Sequence, residues 1–198
     1  MKNQSRHNMK GILLTIWGCI AFITLFSCAN SKKETVTSSL ISKWSGKEIQ
    51  FPKYMYFTVY GKDTIEYPVK HSQYSIISYM DSAGCTSCKL ELPIWKEYIP
   101  LLSSSSGEEI PVLFFFFPKS TNELTSLLKD NYFNHPVCID EKDSLNKLNG
   151  FPTDMAFQTF LLDKNNKVIA IGNPVHNPKI GELYMKIIRQ EEVQVNAE

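Results

Sequence analysis

The sequence predicts an α/β domain: a central mixed sheet with helices on both faces, preceded by an N-terminal β-hairpin. Three observations carry this. From residue 74 onward, short runs rich in aromatic and β-branched residues alternate with segments whose apolar residues recur at helical spacing. Residues 110–117, IPVLFFFF, form a continuous apolar run, the pattern of a strand buried on both faces. Near the C-terminus Asn177-Pro178 joins a capping side chain to a proline at the first helical position.

The elements follow in order. Leu40, Ile41 and Trp44 make one short helical face, ended by Gly46. Residues 54–60 and 64–69 read as two strands, joined by the turn residues Gly61-Lys62-Asp63. Residues 74–80, YSIISYM, are a strand, and 86–102 a helix with Leu90, Ile94, Trp95, Tyr98 and Leu102 on its apolar face. A polar loop over 103–109 leads to the strand at 110–117, which Pro118 ends. Thr121 starts a helix with Leu124, Leu127 and Leu128 on one side, and 136–139 is a short strand. Residues 157–162 and 167–171 are strands joined by the polar turn 163–166. The last helix carries Ile180, Leu183, Tyr184, Ile187 and Ile188. Strand–helix–strand steps predict parallel pairing in the middle of the sheet.

At 198 residues the chain has room for one domain and an appendage. A net charge of +1 without blocks of like charge gives no footprint for a nucleic-acid partner. The N-terminus is of another kind. Lys2, Arg6 and Lys10 precede an apolar run over 11–26, the order of a secretory signal. The run ends in Leu25-Phe26-Ser27-Cys28, which resembles a bacterial lipoprotein signal and implies lipidation of Cys28 after cleavage. An uncleaved anchor is the other reading, although the run falls short of the ~20 residues a spanning helix needs. Both place the domain on the extracytoplasmic side of a membrane, in the cell envelope. The expected organisation is a signal over 1–27, a lipidated polar tether over 28–39, an N-terminal extension over 40–73 and the α/β domain over 74–192.

Five cysteines are present, Cys19, Cys28, Cys85, Cys88 and Cys138. Cleavage removes Cys19 and lipid occupies Cys28. One close pair with one odd cysteine is no structural disulfide framework. Cys85 and Cys88 fall between the 74–80 strand and the following helix. A helix N-terminus carries unpaired N–H groups and positive potential, which favours a thiolate at Cys85. Cys88, one turn along, can close a disulfide with it. C-x-x-C also serves zinc, but a structural zinc site takes four ligands, and no second pair exists here. Cys138 reads as a small apolar core residue.

Cys85-Thr86-Ser87-Cys88-Lys89-Leu90-Glu91-Leu92-Pro93 resembles the C-x-x-C-[KR]-x-E-x-P signature of envelope thioredoxin-like oxidoreductases of the TlpA/ResA branch. Thr159-Phe160-Leu161-Leu162-Asp163, a turn, and Lys167-Val168-Ile169 resemble that family's T-F-L-[IL]-D-x-x-G-x-[IV] hairpin. The resemblance spans residues 74–190. It implies a thioredoxin-like fold and a membrane-tethered thiol–disulfide oxidoreductase with Cys85 and Cys88 as its catalytic pair. Its partners are protein thiols and disulfides and a membrane electron donor or acceptor. The redox-active disulfide needs no further cofactor and no metal. The resemblance also places Glu91, three residues past Cys88 on a shared helical face, near the thiols as a proton-handling group; a dipole-favoured surface carboxylate is the alternative. Pro93 is expected to kink the helix. Asp81 would share a strand face with Tyr79, the place of the buried acid of cytoplasmic thioredoxins, if the strand continues that far, and would then accept a proton from Cys88; a solvated strand end is the alternative. By analogy with thioredoxin, Phe157, Gln158 and His176 border the substrate groove.

The chain departs from the family at three places. Gly84 stands where Trp precedes the first cysteine, Thr86-Ser87 replaces a dipeptide that often includes Pro, and Phe157 occupies the place of a cis-Pro. The last departure keeps a non-catalytic or copper-handling binding module open, although copper chaperones of this fold use C-x-x-x-C and a histidine where Ala156-Phe157 stand here. A thiol peroxidase is the third reading. Ser82 and Cys85 match its loop motif, whereas Ser78 stands at the motif's proline and no arginine lies between Arg6 and Arg189.

Overall fold

The computed structural model describes residues 37–65, 72–82, 90–107 and 109–190. Two compact units divide after Lys43. In the first, residues 37–43 are helical, with Leu40 half-buried and Ile41 exposed. The expected short helix forms and ends before Gly46, which is in the left-handed region, but Ile41 points to solvent rather than to an apolar face. The second unit, Trp44–Glu198, holds the sheet.

Seven strands make one sheet: β1 (Phe57–Val59), β2 (Asp63–Ile65), β3 (Tyr74–Met80), β4 (Val112–Phe116), β5 (Val137–Ile139), β6 (Thr159–Asp163) and β7 (Val168–Ile171). Their order is β2-β1-β5-β4-β3-β6-β7. The β3–β4 and β4–β5 pairs are parallel, and β6 and β7 add antiparallel on the other side. The hairpin β1–β2 joins the same sheet, since β1 pairs antiparallel with β5. Its first strand is shorter than the 54–60 its pattern predicts, and residues 66–69 of the expected second strand lie outside the described residues. Tyr54 and Tyr56 are exposed, and Tyr60 takes a left-handed conformation that turns the chain out of the strand.

Helices of this unit, among the described residues, include α1 (Leu92–Ser106), α2 (Thr121–Asp130), α3 (Ser144–Asn149) and α4 (Pro178–Ile188). All five residues of β4 are fully buried, as the continuous apolar run requires. Alternation along the strands sends Ile76, Met80, Phe114, Phe116 and Leu161 to one face. There they form one cluster with Trp95 and Leu102 of α1, Leu124 and Leu128 of α2, and Tyr184 and Ile188 of α4. Ring contacts mark the other face: Phe115 meets Phe57 at 5.5 Å, Phe160 meets Trp44 at 4.9 Å, and Tyr79 meets Phe151 at 5.0 Å. Phe151 follows α3, so this short helix belongs to that face.

Helix ends follow local chemistry. Ser120 caps α2 by accepting from the Glu123 amide, and Asn177 caps α4 by accepting from Lys179. Helix α1 runs to Ser106 although 103–109 reads as a loop. Ser104 and Ser106 return their hydroxyls to the Leu101 and Leu102 carbonyls, so the serines stay within the helix. Ile94, assigned to the apolar face of α1, is exposed. Helix α3 has no signal in the periodicity, being only six residues long. Its start is held by Asp140, which accepts from the Leu145 amide, and its end by Gly150 in the left-handed region.

Asn149 fastens α3 to the N-terminal segment of this unit. Its side chain accepts from the Gln50 amide and donates to the Gln50 and Leu145 carbonyls, each at 2.8 Å. Replacing Asn149 with Ala strips both Gln50 backbone groups of these partners, at a cost of roughly 2 kcal/mol. Thermal denaturation should then occur roughly 4–8 °C lower; an unchanged midpoint would show that the clamp contributes nothing.

Candidate active site

Parallel pairing brings the C-terminal ends of β3, β4 and β5 to one edge of the sheet, the edge where α/β folds place their ligands. The start of β6 lies there too: Thr159 pairs with Ser78, and the Tyr79 amide donates to the Gln158 carbonyl at 2.9 Å. So does the loop after β7, whose Gly172 and Asn173 amides donate to the Thr159 and Ala156 carbonyls. Gly172 has a φ of +127°, and a Cβ there would press on Ile180 at 3.3 Å. Gly181 of α4 comes so close to the loop that a Cβ would lie 3.0 Å from the Pro174 oxygen. The Asn173 side chain accepts from the Val175 amide, completing the support of the loop that carries His176.

The chain leaves β3 at Met80 and enters α1 at Leu92. Cys85 and Cys88 belong to this connection and lie outside the described residues, as do Gly84, Thr86 and Ser87. Cys28 and the whole signal and tether lie outside them as well.

Glu91 is described, and its backbone corrects the expectation of one continuous helix over 86–102. It stands in the left-handed region, φ 48° and ψ 36°, as the N-cap of α1. Pro93 explains the break. Its ring would clash with the carbonyl four residues back in an unbroken helix, but costs nothing in a first turn. The helix therefore restarts at Leu92, with the Ile94 and Trp95 amides both donating to the Glu91 carbonyl. Leu90 is helical and Glu91 is not, so the helical path breaks at Glu91, two residues before Pro93, in keeping with the expected kink.

The left-handed turn presents the Glu91 carboxylate to His176. Nδ1 of His176 stands 2.8 Å from Oε1, with the side chains 37% and 23% exposed respectively. The second oxygen, Oε2, is buried and has no hydrogen-bond partner among the described residues. Two residues 85 apart in sequence thus meet at the edge where the thiol segment begins and ends. Each was legible alone as a site candidate; their pairing was not, because it depends on where β7 ends relative to α1.

His176 shares a narrow crevice with Ser78, Met80, Met155, Gln158 and Thr159. Gln158 is buried, and its side-chain amide is spent on the Pro152 carbonyl at 2.8 Å. Phe157 is half-buried in a 3-10 turn, Met155–Phe157, and is not part of the crevice lining. No cis peptide bond occurs among the described residues. Strand β6 starts at Thr159 rather than 157 because this turn, capped by Asp154, takes up the preceding residues.

Asp81 does not share a strand face with Tyr79, since β3 ends at Met80. It is half-buried beyond the strand end. Tyr79 itself is buried and donates to Asp143 Oδ1 at 2.6 Å. Burial, this bond and the charges of Asp143, Asp81 and Asp140 push its pKa far up, so it remains a neutral donor.

Comparison with solved structures gives the fold. A candidate thiol:disulfide interchange protein DsbE from Chlorobium tepidum superposes with a TM-score of 0.53 at 15% identity, covering 73% of this chain and 97% of that one. A candidate protein disulfide isomerase from Bacteroides thetaiotaomicron gives 0.52 at 14% identity, with 72% and 87% covered. A candidate thiol-disulfide oxidoreductase from Bacteroides vulgatus gives 0.50 at 18%, with 72% and 92% covered. No family model matches the sequence, and no curated protein matches it significantly. The fold is thioredoxin-like, and the chain shares it with these distant structural neighbours.

Cys138 is set apart from this edge chemistry. It is buried on β5, and burial, reinforced by Asp140, pushes its pKa up to about 11. At pH 8 it is therefore held as the neutral thiol. Brief iodoacetamide treatment of the reduced native protein at that pH should leave Cys138 unmodified in peptide mass spectra. Modification of Cys138 as fast as an exposed thiol would contradict its placement.

Proposed function

We propose that this protein is a membrane-tethered thiol–disulfide oxidoreductase of the cell envelope, held by lipid on Cys28, with Cys85 and Cys88 as its redox pair. The observation that carries the proposal is positional. A C-x-x-C sequence occupies the connection from β3 to α1 in a thioredoxin-like fold, between the end of a parallel strand and a helix whose N-cap bears a carboxylate.

In the reductive direction the Cys85 thiolate attacks one sulfur of a substrate disulfide. That S–S bond breaks, the departing sulfur leaves as a thiolate, and a mixed disulfide forms. Cys88 then loses its proton and attacks the Cys85 sulfur, releasing the second substrate sulfur. Two electrons pass to the substrate, and the protein retains a Cys85–Cys88 disulfide. Re-reduction by a membrane electron donor closes the cycle; a membrane acceptor would run it in reverse. Glu91, next to the thiol segment, accepts the Cys88 proton.

Single substitutions separate the two roles. Cys85→Ser should abolish reduction of a model protein disulfide by the detergent-solubilised full chain. Cys88→Ser should retain the first attack and accumulate mixed disulfides that dithiothreitol releases. Full turnover by the Cys85→Ser protein would overturn the proposal.

A further inference from the structure

We infer that the face formed by α1 and α4 is the contact surface of a two-fold dimer of this chain. The two helices lie side by side and run the same way. The Tyr98 hydroxyl donates to the Gly181 carbonyl in their first halves, and the Arg189 guanidinium donates to the Ser105 hydroxyl at their ends. An open groove of about 520 Å³ lies along them. Helix α1 borders it with Ile94 and Tyr98, and Leu101, seven residues past Ile94, continues the same face. Ile94 is 45% exposed and Leu101 53%. Helix α4 borders it with Pro178, which is exposed, and Met185, which is half-buried. These apolar side chains form one contiguous face on two adjacent helices, rather than scattered single residues, which is the pattern of a contact surface.

The charges say what covers this face. Along α4 the groove is bordered first by Glu182 and then, one and two turns on, by Lys186 and Arg189. Glu182 and Lys186 are exposed, and no ion pair holds either of them within the chain among the described residues. The sign changes at Met185, between the acid and the bases. A face with acid on one side of a point and base on the other is complementary to itself after a half-turn. In such a dimer residue i meets j wherever j meets i. A two-fold axis crossing α4 between Glu182 and Lys186 sets the two α4 helices antiparallel. Each Glu182 then stands opposite Lys186 and Arg189 of the second copy, and the two charge sets flank an apolar seam. A carboxylate set before two cations gives no uniform field for an anionic lipid surface or a partner of single sign.

Dimerisation uses no thiol, so its test is independent of the redox function and is run in dithiothreitol, where no disulfide links the copies. Sedimentation equilibrium of the full chain in density-matched detergent should show a concentration-dependent equilibrium between monomer and dimer. Ile94→Asp, which places a charge in the seam, should weaken the dimer at least tenfold. Glu182→Lys and Lys186→Glu each set like charges opposite one another twice, and each should weaken it roughly tenfold or more. Mixing these two variants should restore a dimer, because one copy then offers only cations where the other offers its carboxylates. A change confined to the helix itself would persist in the mixture. Wild-type chain that stays monomeric at every concentration, a dimer that none of the three substitutions weakens, or charge variants that do not associate on mixing would each overturn the proposal. Equal melting temperatures for the separate variants and wild type confirm that the fold is intact in the comparison.

Discussion

Enclosure of one strand on both faces organises this protein. Each residue of β4 is fully buried, so its backbone needs a strand on either side and its side chains need cover above and below. Strands β3 and β5 supply the backbone partners. Helices α1, α2 and α4 cover one face. Trp44, Phe57, Phe151 and their neighbours cover the other, with Phe114 and Phe115 reaching in opposite directions from adjacent positions. Both neighbours run parallel to β4, so both connections must cross back over the sheet. All three parallel strands then end at one edge, and the chemistry collects there.

The edge differs from a thioredoxin plan in where it keeps its acid. Tyr79 stands near the end of β3, at the place of that acid in the sequence, and its hydroxyl is committed to Asp143. Glu91 lies at the other end of the connection, where the helix restarts beside Pro93. The acid is thereby tied to the loop after β7 through His176, and that loop is itself fixed by the close approach of Gly181 to Pro174. One proline and one missing side chain set the geometry of the pair.

Much of the fold was legible because it rests on local signals. The IPVLFFFF run, the Asn177-Pro178 cap and the alternation of strands and helices all translated directly. Helix α3 was not legible, since six residues are too few to show a period and its caps act through Asp140 and Gly150. The serines at the end of α1 resembled a loop in composition, yet they bond back to their own helix. For the site, Glu91 and His176 were identifiable singly from motif and topology. Their contact was invisible, as was the committed amide of Gln158, because both depend on packing between segments remote in sequence. The helix expected over 86–102 is interrupted at Glu91, close to the proline expected to bend it.

The most direct measurement is the reduction potential of the Cys85–Cys88 pair, obtained by equilibrating the protein against graded glutathione or dithiothreitol couples and quantifying the oxidised fraction. A single reversible two-electron transition is the predicted result. A midpoint near −270 mV would mark a reductant, and one near −120 mV a disulfide donor. Failure to form a reversible Cys85–Cys88 disulfide under any of these couples would contradict the redox function and leave a thioredoxin-like binding module in its place.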